Sequence, residues 1–374
     1  MMARVVVLPG DGVGPEVTRE AVRVLEAAGQ LWGVAVRTEE HPVGGAAIDL
    51  VGDPLPESTL AACRDADAVL LGAVGGPRWE GGAGPRPEAG LLRLRRELGV
   101  YANLRPVVAL PPLAAASPLR PEVFGRVRYL IVRELTGGLY FGPRGRQGDR
   151  VTDTLVYTRR EIARVARVAF SLAAEAGVPL TLVDKANVLE SSRVWREVVG
   201  EVAAEYPHVH FETELVDACA MRMCQDPGRY GVILTENLFG DILSDLGAGT
   251  LGSLGLLPSA SLGDRSPGLY EPVHGSAPDI AGKGVANPLG AIGAVAMMFR
   301  YGLAHPEAAD AIEGAVEDVL EAGARTRDIA LPGEAALTTR EMGDAVLRAL
   351  WARARAGQET EDGSLRPTRG EGRA

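Results

Sequence analysis

The chain has 374 residues, a formal net charge of −10 and 46% hydrophobic residues. That length can bury a large core and points to two domains, while the acidic balance argues against a nucleic-acid backbone as partner. Three cysteines, Cys63, Cys219 and Cys224, form no Cys-x-x-Cys pair. This argues against a disulfide framework or a structural zinc, and fits a reducing cytoplasm. No apolar run approaches the length of a membrane span, and the first, Val5 to Leu8, stops at Pro9-Gly10, unlike a signal peptide.

Short apolar strands alternate with amphipathic helices, which predicts an α/β fold. Val5 to Leu8 reads as a strand, and Pro15 to Ala28 as a helix with Val17, Ala21, Val24, Leu25 and Ala28 on one face. Between them, Gly10-Asp11-Gly12-Val13-Gly14 invites a Rossmann reading, but the third glycine of G-x-G-x-x-G would fall on Pro15. A tight strand-to-helix turn with Pro15 at the first helical position fits better. Ala68 to Leu71 and Tyr129 to Val132 read as further strands. Thr158 with Glu161 makes a capping box before a helix that buries Ile162, Val165, Ala166, Ala169 and Ala173, and Gly177 can close it. Leu180 to Val183 and Tyr230 to Leu234 are buried strands, and a second capping box, Thr338 with Glu341, opens a last helix with Met342, Ala345, Val346 and Ala349 inward. The tail, residues 355–374, is polar without periodicity and is expected to be disordered.

Of the 39 lysines and arginines only Lys185 and Lys283 are lysines. Either two lysines survive by chance in an Arg-rich chain, or Lys is kept where an ammonium must lose its proton, which guanidinium cannot do. Lys185 follows an apolar strand, where α/β proteins place catalytic groups; Lys283 sits in a Gly-Lys-Gly loop and carries less weight. Asp241 and Asp245 are four apart, so a helix puts both on one face, where they repel. A hard divalent cation, Mg²⁺ or Mn²⁺, removes that repulsion, and Asp217 could supply a third carboxylate. The competing reading is a solvated Asp face plus a helix cap. Arg95, Arg105 and Arg133 lie beside apolar residues and together suggest a pocket for a polycarboxylate.

Four motifs carry a resemblance: Arg133-Glu-Leu-Thr-Gly-Gly-Leu-Tyr140, Asp184-Lys185-Ala-Asn187-Val, Phe239-Gly-Asp241-Ile-Leu-Ser-Asp245 and His274-Gly-Ser-Ala-Pro-Asp279-Ile-Ala-Gly-Lys283. In this order they resemble the β-decarboxylating dehydrogenases, the isocitrate/isopropylmalate dehydrogenase family, from Arg4 to about Leu350. Arg133-Glu-Leu-Thr-Gly is similar to the isopropylmalate branch rather than to isocitrate-type relatives.

The resemblance implies a non-Rossmann two-domain α/β fold. Residues 1–100 and 252–354 would form one domain, carrying both termini and most of the NAD site, and 101–251 a second with the dimer interface. It implies NAD- and Mg²⁺- or Mn²⁺-dependent oxidation of (2R,3S)-3-isopropylmalate to 2-isopropyl-3-oxosuccinate, then decarboxylation to 4-methyl-2-oxopentanoate in leucine biosynthesis. Lys185 would take the hydroxyl proton and Tyr140 would protonate the enol carbon. Asp217, Asp241 and Asp245 would hold the metal, and Arg95, Arg105, Arg133 and Asp217 would bind substrate. Leu91, Leu92 and Val188 would contact the isopropyl group. Cofactor contacts would come from Gly76, Glu88, Asn187, Glu271, His274, Gly275, Ser276, Ala277, Pro278, Asp279, Ile280 and Asn287, with the loop from Gly76 to Glu88 over the nicotinamide. Asp279 would receive the ribose hydroxyls and disfavour NADP. Lys185 and Asp217 would reach the active site of the partner subunit in a homodimer. Alternatives are a dehydrogenase for D-malate, tartrate or homoisocitrate, or a regulatory paralogue that only binds ligand. An intact set of Lys185, Tyr140 and three aspartates argues against the last.

Overall fold

The computed structural model describes residues 2–80, 84–265 and 267–363, with side chains described as far as 356. Its strands are β1 (Ala3–Gly10), β2 (Val36–Glu40), β3 (Ala68–Ala73), β4 (Ala102–Val108), β5 (Arg128–Glu134), β6 (Arg144–Gln147), β7 (Arg150–Asp153), β8 (Leu180–Asp184), β9 (Phe211–Leu215), β10 (Val232–Thr235), β11 (Pro258–Leu262) and β12 (Gly268–Pro272). Its helices are α1 (Gly14–Leu31), α2 (Gly44–Val51), α3 (Glu57–Arg64), α4 (Pro87–Leu98), α5 (Pro121–Phe124), α6 (Arg159–Ala176), α7 (Glu190–Ala203), α8 (Val216–Gln225), α9 (Asn237–Leu251), α10 (Leu289–Met297), α11 (Pro306–Glu321) and α12 (Thr339–Gly363).

Ten strands form one sheet in the order β2-β1-β3-β12-β11-β4-β5-β10-β8-β9, and β6 and β7 make a separate hairpin. The flanks are parallel, and only the centre, β12–β11–β4–β5, is antiparallel. Strands from residues 1–100 and 252–354 fill one side, strands from 101–251 the other, and the two sets meet at the β11–β4 pair. A Rossmann sheet, mostly parallel and doubly wound, is a different arrangement.

Sequence pattern explains which strands go where. β3 and β8 are apolar almost throughout and buried at every residue, as parallel strands covered on both faces must be. β4 instead alternates: Asn103 and Arg105 on one face, Leu104 and Pro106 on the other. Asn103 and Arg105 therefore share one face of the central strands, beside Ile131 and Val107, and α10 packs against β11 and β12.

Both capping boxes form: Thr158 Oγ1 accepts from the Glu161 N–H at 3.2 Å, and Thr338 Oγ1 from the Glu341 N–H at 3.2 Å. Gly177 closes α6 in the left-handed region at φ 65°. The turn after β1 needs its first glycine, because Gly10 has φ 72° and a Cβ there would lie 1.9 Å from the Ala73 carbonyl oxygen. Several boundaries differ from expectation. α1 starts at Gly14, so Pro15 is its second residue. The strand expected from Tyr230 begins at Val232, because Tyr230 follows a tight turn at Pro227–Arg229. α12 runs to Gly363, through part of the tail expected to be disordered; Ala352-Arg-Ala-Arg-Ala favours a helix, whereas Gly357, Thr360 and Asp362 do not. The rest of that tail lies outside the described residues.

Thr158→Ala removes the side-chain half of one capping box and is expected to lower unfolding free energy by about 1 kcal/mol. Urea denaturation should show a lower midpoint with an unchanged slope. An unchanged midpoint would mean that the box contributes nothing.

Candidate active site

A row of polar residues crosses the four central strands on one face. Register partners share a face, so Glu271 of β12 lies with Ser259 of β11, Ser261 with Asn103 of β4, and Asn103 with Arg133 of β5. Asn103 donates to Ser261 Oγ at 2.9 Å and accepts from Arg105 Nε at 2.7 Å. Two guanidiniums thus rise side by side from buried strands.

Helix α9 supplies their counter-charge. Asn237, Asp241 and Asp245 recur every fourth residue and form one stripe over the arginines. Close approach depends on Gly240, where a Cβ would lie 2.6 Å from Arg133 Cγ. Arg133 is 1% exposed. Its Nε and Nη2 donate to Asn237 Oδ1 at 3.0 and 2.7 Å, and its Nη1 pairs with Asp241. Asp241 Oδ2 accepts from the Tyr140 hydroxyl at 2.7 Å. Arg105 Nη1 donates to Ser244 Oγ at 2.5 Å and lies 3.5 Å from Asp241 and 3.8 Å from Asp245. Arg95 of α4 pairs with Glu271, and its buried Nε has no partner.

The titrations follow from this packing. Burial raises the Tyr140 phenol to about 12, helped by its hydrogen bond to Asp241, so it stays protonated at neutral pH. Burial alone would raise Asp241, but Arg133, Arg105 and the Tyr140 hydrogen bond hold its carboxyl below the ordinary value. Asp245 goes the other way: burial and the Asp241 charge outweigh Arg105 and raise it. Burial and the neighbouring Arg133 lower Arg105 to about 10. Asp241 and Asp245 are therefore a hard-oxygen pair whose second member is loosely held, and this fits a divalent cation.

A cavity of about 540 Å³ opens over this cluster. Leu91 and Leu92 line it beside Arg95, as expected for positions one helical turn before that residue. Glu88, His274 and Gly275 also line it. His274 Nε2 is buried without a partner, and burial lowers its imidazole.

The remaining expected residues lie elsewhere. Lys185, just past β8, pairs with Asp217 in the first turn of α8, and that pair holds the Asp217 carboxyl below its ordinary value. Asn187 is exposed and Val188 is 64% exposed next to them. None of these four lines the cavity, and no group of three His, Cys, Asp or Glu gathers among the described residues. Asp279 and Pro278 are exposed on the loop after β12, Ala277 stands at φ 39°, Ser276 is buried and Ile280 half-buried. Asn287 is buried, its amide bridging Asp328 Oδ2 (3.0 Å) and the Leu289 N–H (3.0 Å). Lys283 is exposed and makes no ion pair among the described residues. Gly76 and Glu88 bracket a loop of which residues 81–83 lie outside the described residues.

Sequence reading missed the residues that hold the arginines. Asn237 was legible, since it lies four residues before Asp241 on the same helical face. Ser244, Ser261 and Glu271 as the partner of Arg95 carry no local signal, because each meets its arginine or asparagine across more than a hundred residues.

The family described as isocitrate/isopropylmalate dehydrogenase matches residues 4–346. The chain is 55% identical to a 3-isopropylmalate dehydrogenase of Halalkalibacterium halodurans, covering 94% of this chain and 99% of that one. It is 54% identical to the 3-isopropylmalate dehydrogenase of Chromohalobacter salexigens, covering 94% and 100%. Among solved structures it is similar to isocitrate dehydrogenase from Methylococcus capsulatus, with a TM-score of 0.84 and 38% identity over 93% of this chain and 99% of that one. A β-decarboxylating dehydrogenase from Thermococcus kodakarensis in its apo form matches with a TM-score of 0.78 and 39% identity over 98% and 100%.

Asn237→Ala leaves two donors of a buried guanidinium unfilled. It should cost about 2–3 kcal/mol in chemical denaturation, more than an ordinary neutral hydrogen bond. A loss within about 0.5 kcal/mol, the range of a surface change, would show that Asn237 does not hold Arg133.

Proposed function

The chain belongs to the isocitrate/isopropylmalate dehydrogenase family, and we propose that it is an NAD-dependent oxidative decarboxylase acting on (2R,3S)-3-isopropylmalate. The observation that carries this reading is the cavity in which Arg95, Arg105 and Arg133 face Leu91 and Leu92. Guanidiniums bind the two carboxylates of a diacid, and the leucines suit an alkyl branch where isocitrate would bury a third carboxylate at a cost of several kcal/mol.

Each group has a role that its surroundings support. The arginines orient the diacid. Lys185 takes the proton of the C2 hydroxyl, a task open to an amine and closed to guanidinium. Tyr140, held neutral by burial and by Asp241, gives its proton to the enol carbon left after CO₂ departs. Asp241, Asp245 and Asp217 would hold Mg²⁺ or Mn²⁺. When bound, the cation polarises the substrate oxygens and NAD⁺ accepts the hydride. Asp279, exposed on its loop, suits the ribose hydroxyls and disfavours a 2′-phosphate.

We further propose that two chains share each site. Lys185 and Asp217 lie outside the cavity of their own chain, next to exposed Val188, while Met221 of α8 and Ile242 of α9 also present apolar surface. A second copy in a homodimer would bring Lys185, Asp217, Asn187 and Val188 to the cavity and supply the third carboxylate. In this arrangement residues 1–100 with 252–354 form one domain and 101–251 the other, with the cleft between them.

NADH formation with a panel of 2-hydroxy diacids and Mg²⁺ tests the assignment. Burial of three alkyl carbons at about 0.8 kcal/mol each gives 3-isopropylmalate about a 50-fold advantage over D-malate, and isocitrate should fail on charge. Replacing Leu91 and Leu92 with Ala should narrow that ratio without abolishing metal dependence. Equal efficiency with D-malate in the unmodified protein would overturn the substrate assignment.

A further inference from the structure

Asp11, in the turn between β1 and α1, and Glu16, in the first turn of α1, are carboxylates that the mechanism above does not use. Asp11 is 4% exposed. Its Oδ2 accepts from the N–H of Gly45 and of Gly75, and its Oδ1 from the N–H of Ala46, all at 2.8 Å. One side chain therefore ties the first turn of α2 to the loop after β3. Gly75 stands at φ 113°, and a Cβ there would lie 2.6 Å from Glu88 Oε1, so this same loop packs against Glu88, which lines the cavity.

Glu16, in the first turn of α1, grips a different loop. Its Oε1 accepts from the N–H of Gly282, and its Oε2 from that of Gly284 at 2.9 Å. The Val13 N–H donates to the Ser276 carbonyl at 2.8 Å, and a Cβ on Gly12 would lie 1.9 Å from that oxygen. The turn is thus in contact with two loops at once, one after β3 and one after β12, more than two hundred residues apart in sequence.

We infer that Asp11 and Glu16 are separate positioning residues for the two ends of the dinucleotide, Asp11 for the nicotinamide-side loop with Gly76 and Glu88, and Glu16 for the adenosine-side loop from His274 to Gly284. This rests on the proposed NAD-dependent activity. Neither residue touches the cofactor; each fixes the backbone of a loop that does. The carboxylate form matters for Asp11, because both oxygens accept. An asparagine amide would turn its NH₂ toward a backbone N–H, donor against donor.

Calorimetric titration of Asp11→Asn and Glu16→Gln with three probes separates the two roles. NADH reports both ends, AMP the adenosine end, and 3-isopropylmalate with Mg²⁺ reports whether the rest of the site is intact. Losing a hydrogen bond to a charged group is worth about tenfold in affinity. Asp11→Asn should weaken NADH about tenfold and leave AMP within about twofold; Glu16→Gln should weaken NADH and AMP alike by about tenfold. Both should bind 3-isopropylmalate as the unmodified protein does. NADH binding unchanged in either variant, AMP falling with NADH in Asp11→Asn, or loss of 3-isopropylmalate binding would each overturn the inference. If the unmodified protein binds none of the three probes, the dehydrogenase reading fails and this inference with it.

Discussion

A guanidinium buried to 1% exposure must be met by acceptors, and Arg133 sets the geometry of everything around it. Its three donor nitrogens use one amide and one carboxylate, which must come from the same direction. A helix with Asn and Asp four residues apart provides that, if it can approach closely, and Gly240 removes the Cβ that would prevent it. Asp241 then has a second oxygen free for the Tyr140 hydroxyl, which fixes the phenol over the same pocket. The charge of Asp241 also keeps Arg105 from facing Arg133 without compensation. One ion pair thus positions two arginines, a phenol and a carboxylate stripe.

The sheet makes this possible. Its antiparallel centre joins two parallel halves, and strand alternation there brings Glu271, Ser259, Ser261, Asn103, Arg105 and Arg133 to one face. Strands from the two segments of the chain meet at β11 and β4, so the cavity draws Glu271 and the α4 residues from one side and Arg105, Arg133 and Asp241 from the other. A ligand bound across this seam contacts both sets, and that placement suits reactions that need water excluded as the substrate is enclosed.

What could be read beforehand follows the range of the physics. The capping boxes, the buried strands β3 and β8 and the Asp241–Asp245 spacing are local patterns, and each forms as read. Arg95 with Glu271 is an ion pair across 176 residues, and Asp11 meets its three amides 34 to 64 residues away. No periodicity encodes such contacts, so Asp11 reads as a turn residue and nothing more. The α12 extension is not legible for a different reason: it has no apolar stripe, and its helix propensity is mixed, with Gly357, Thr360 and Asp362 among its residues. Lys185 stands out by composition, but its distance from the cavity of its own chain is a property of the fold.

That separation makes the shared site the central claim, and hybrid dimers test it directly. Lys185→Met and Asp241→Asn should each be inactive alone. If each site combines Asp241 of one chain with Lys185 of the other, a hybrid carries one doubly altered site and one intact site. Co-refolding equal amounts should then restore about a quarter of the unmodified activity, since about half the dimers are hybrids with one working site each. Mixtures that stay as inactive as their components, with hybrids shown to form, would contradict the account and return Lys185 to the chemistry of a single chain.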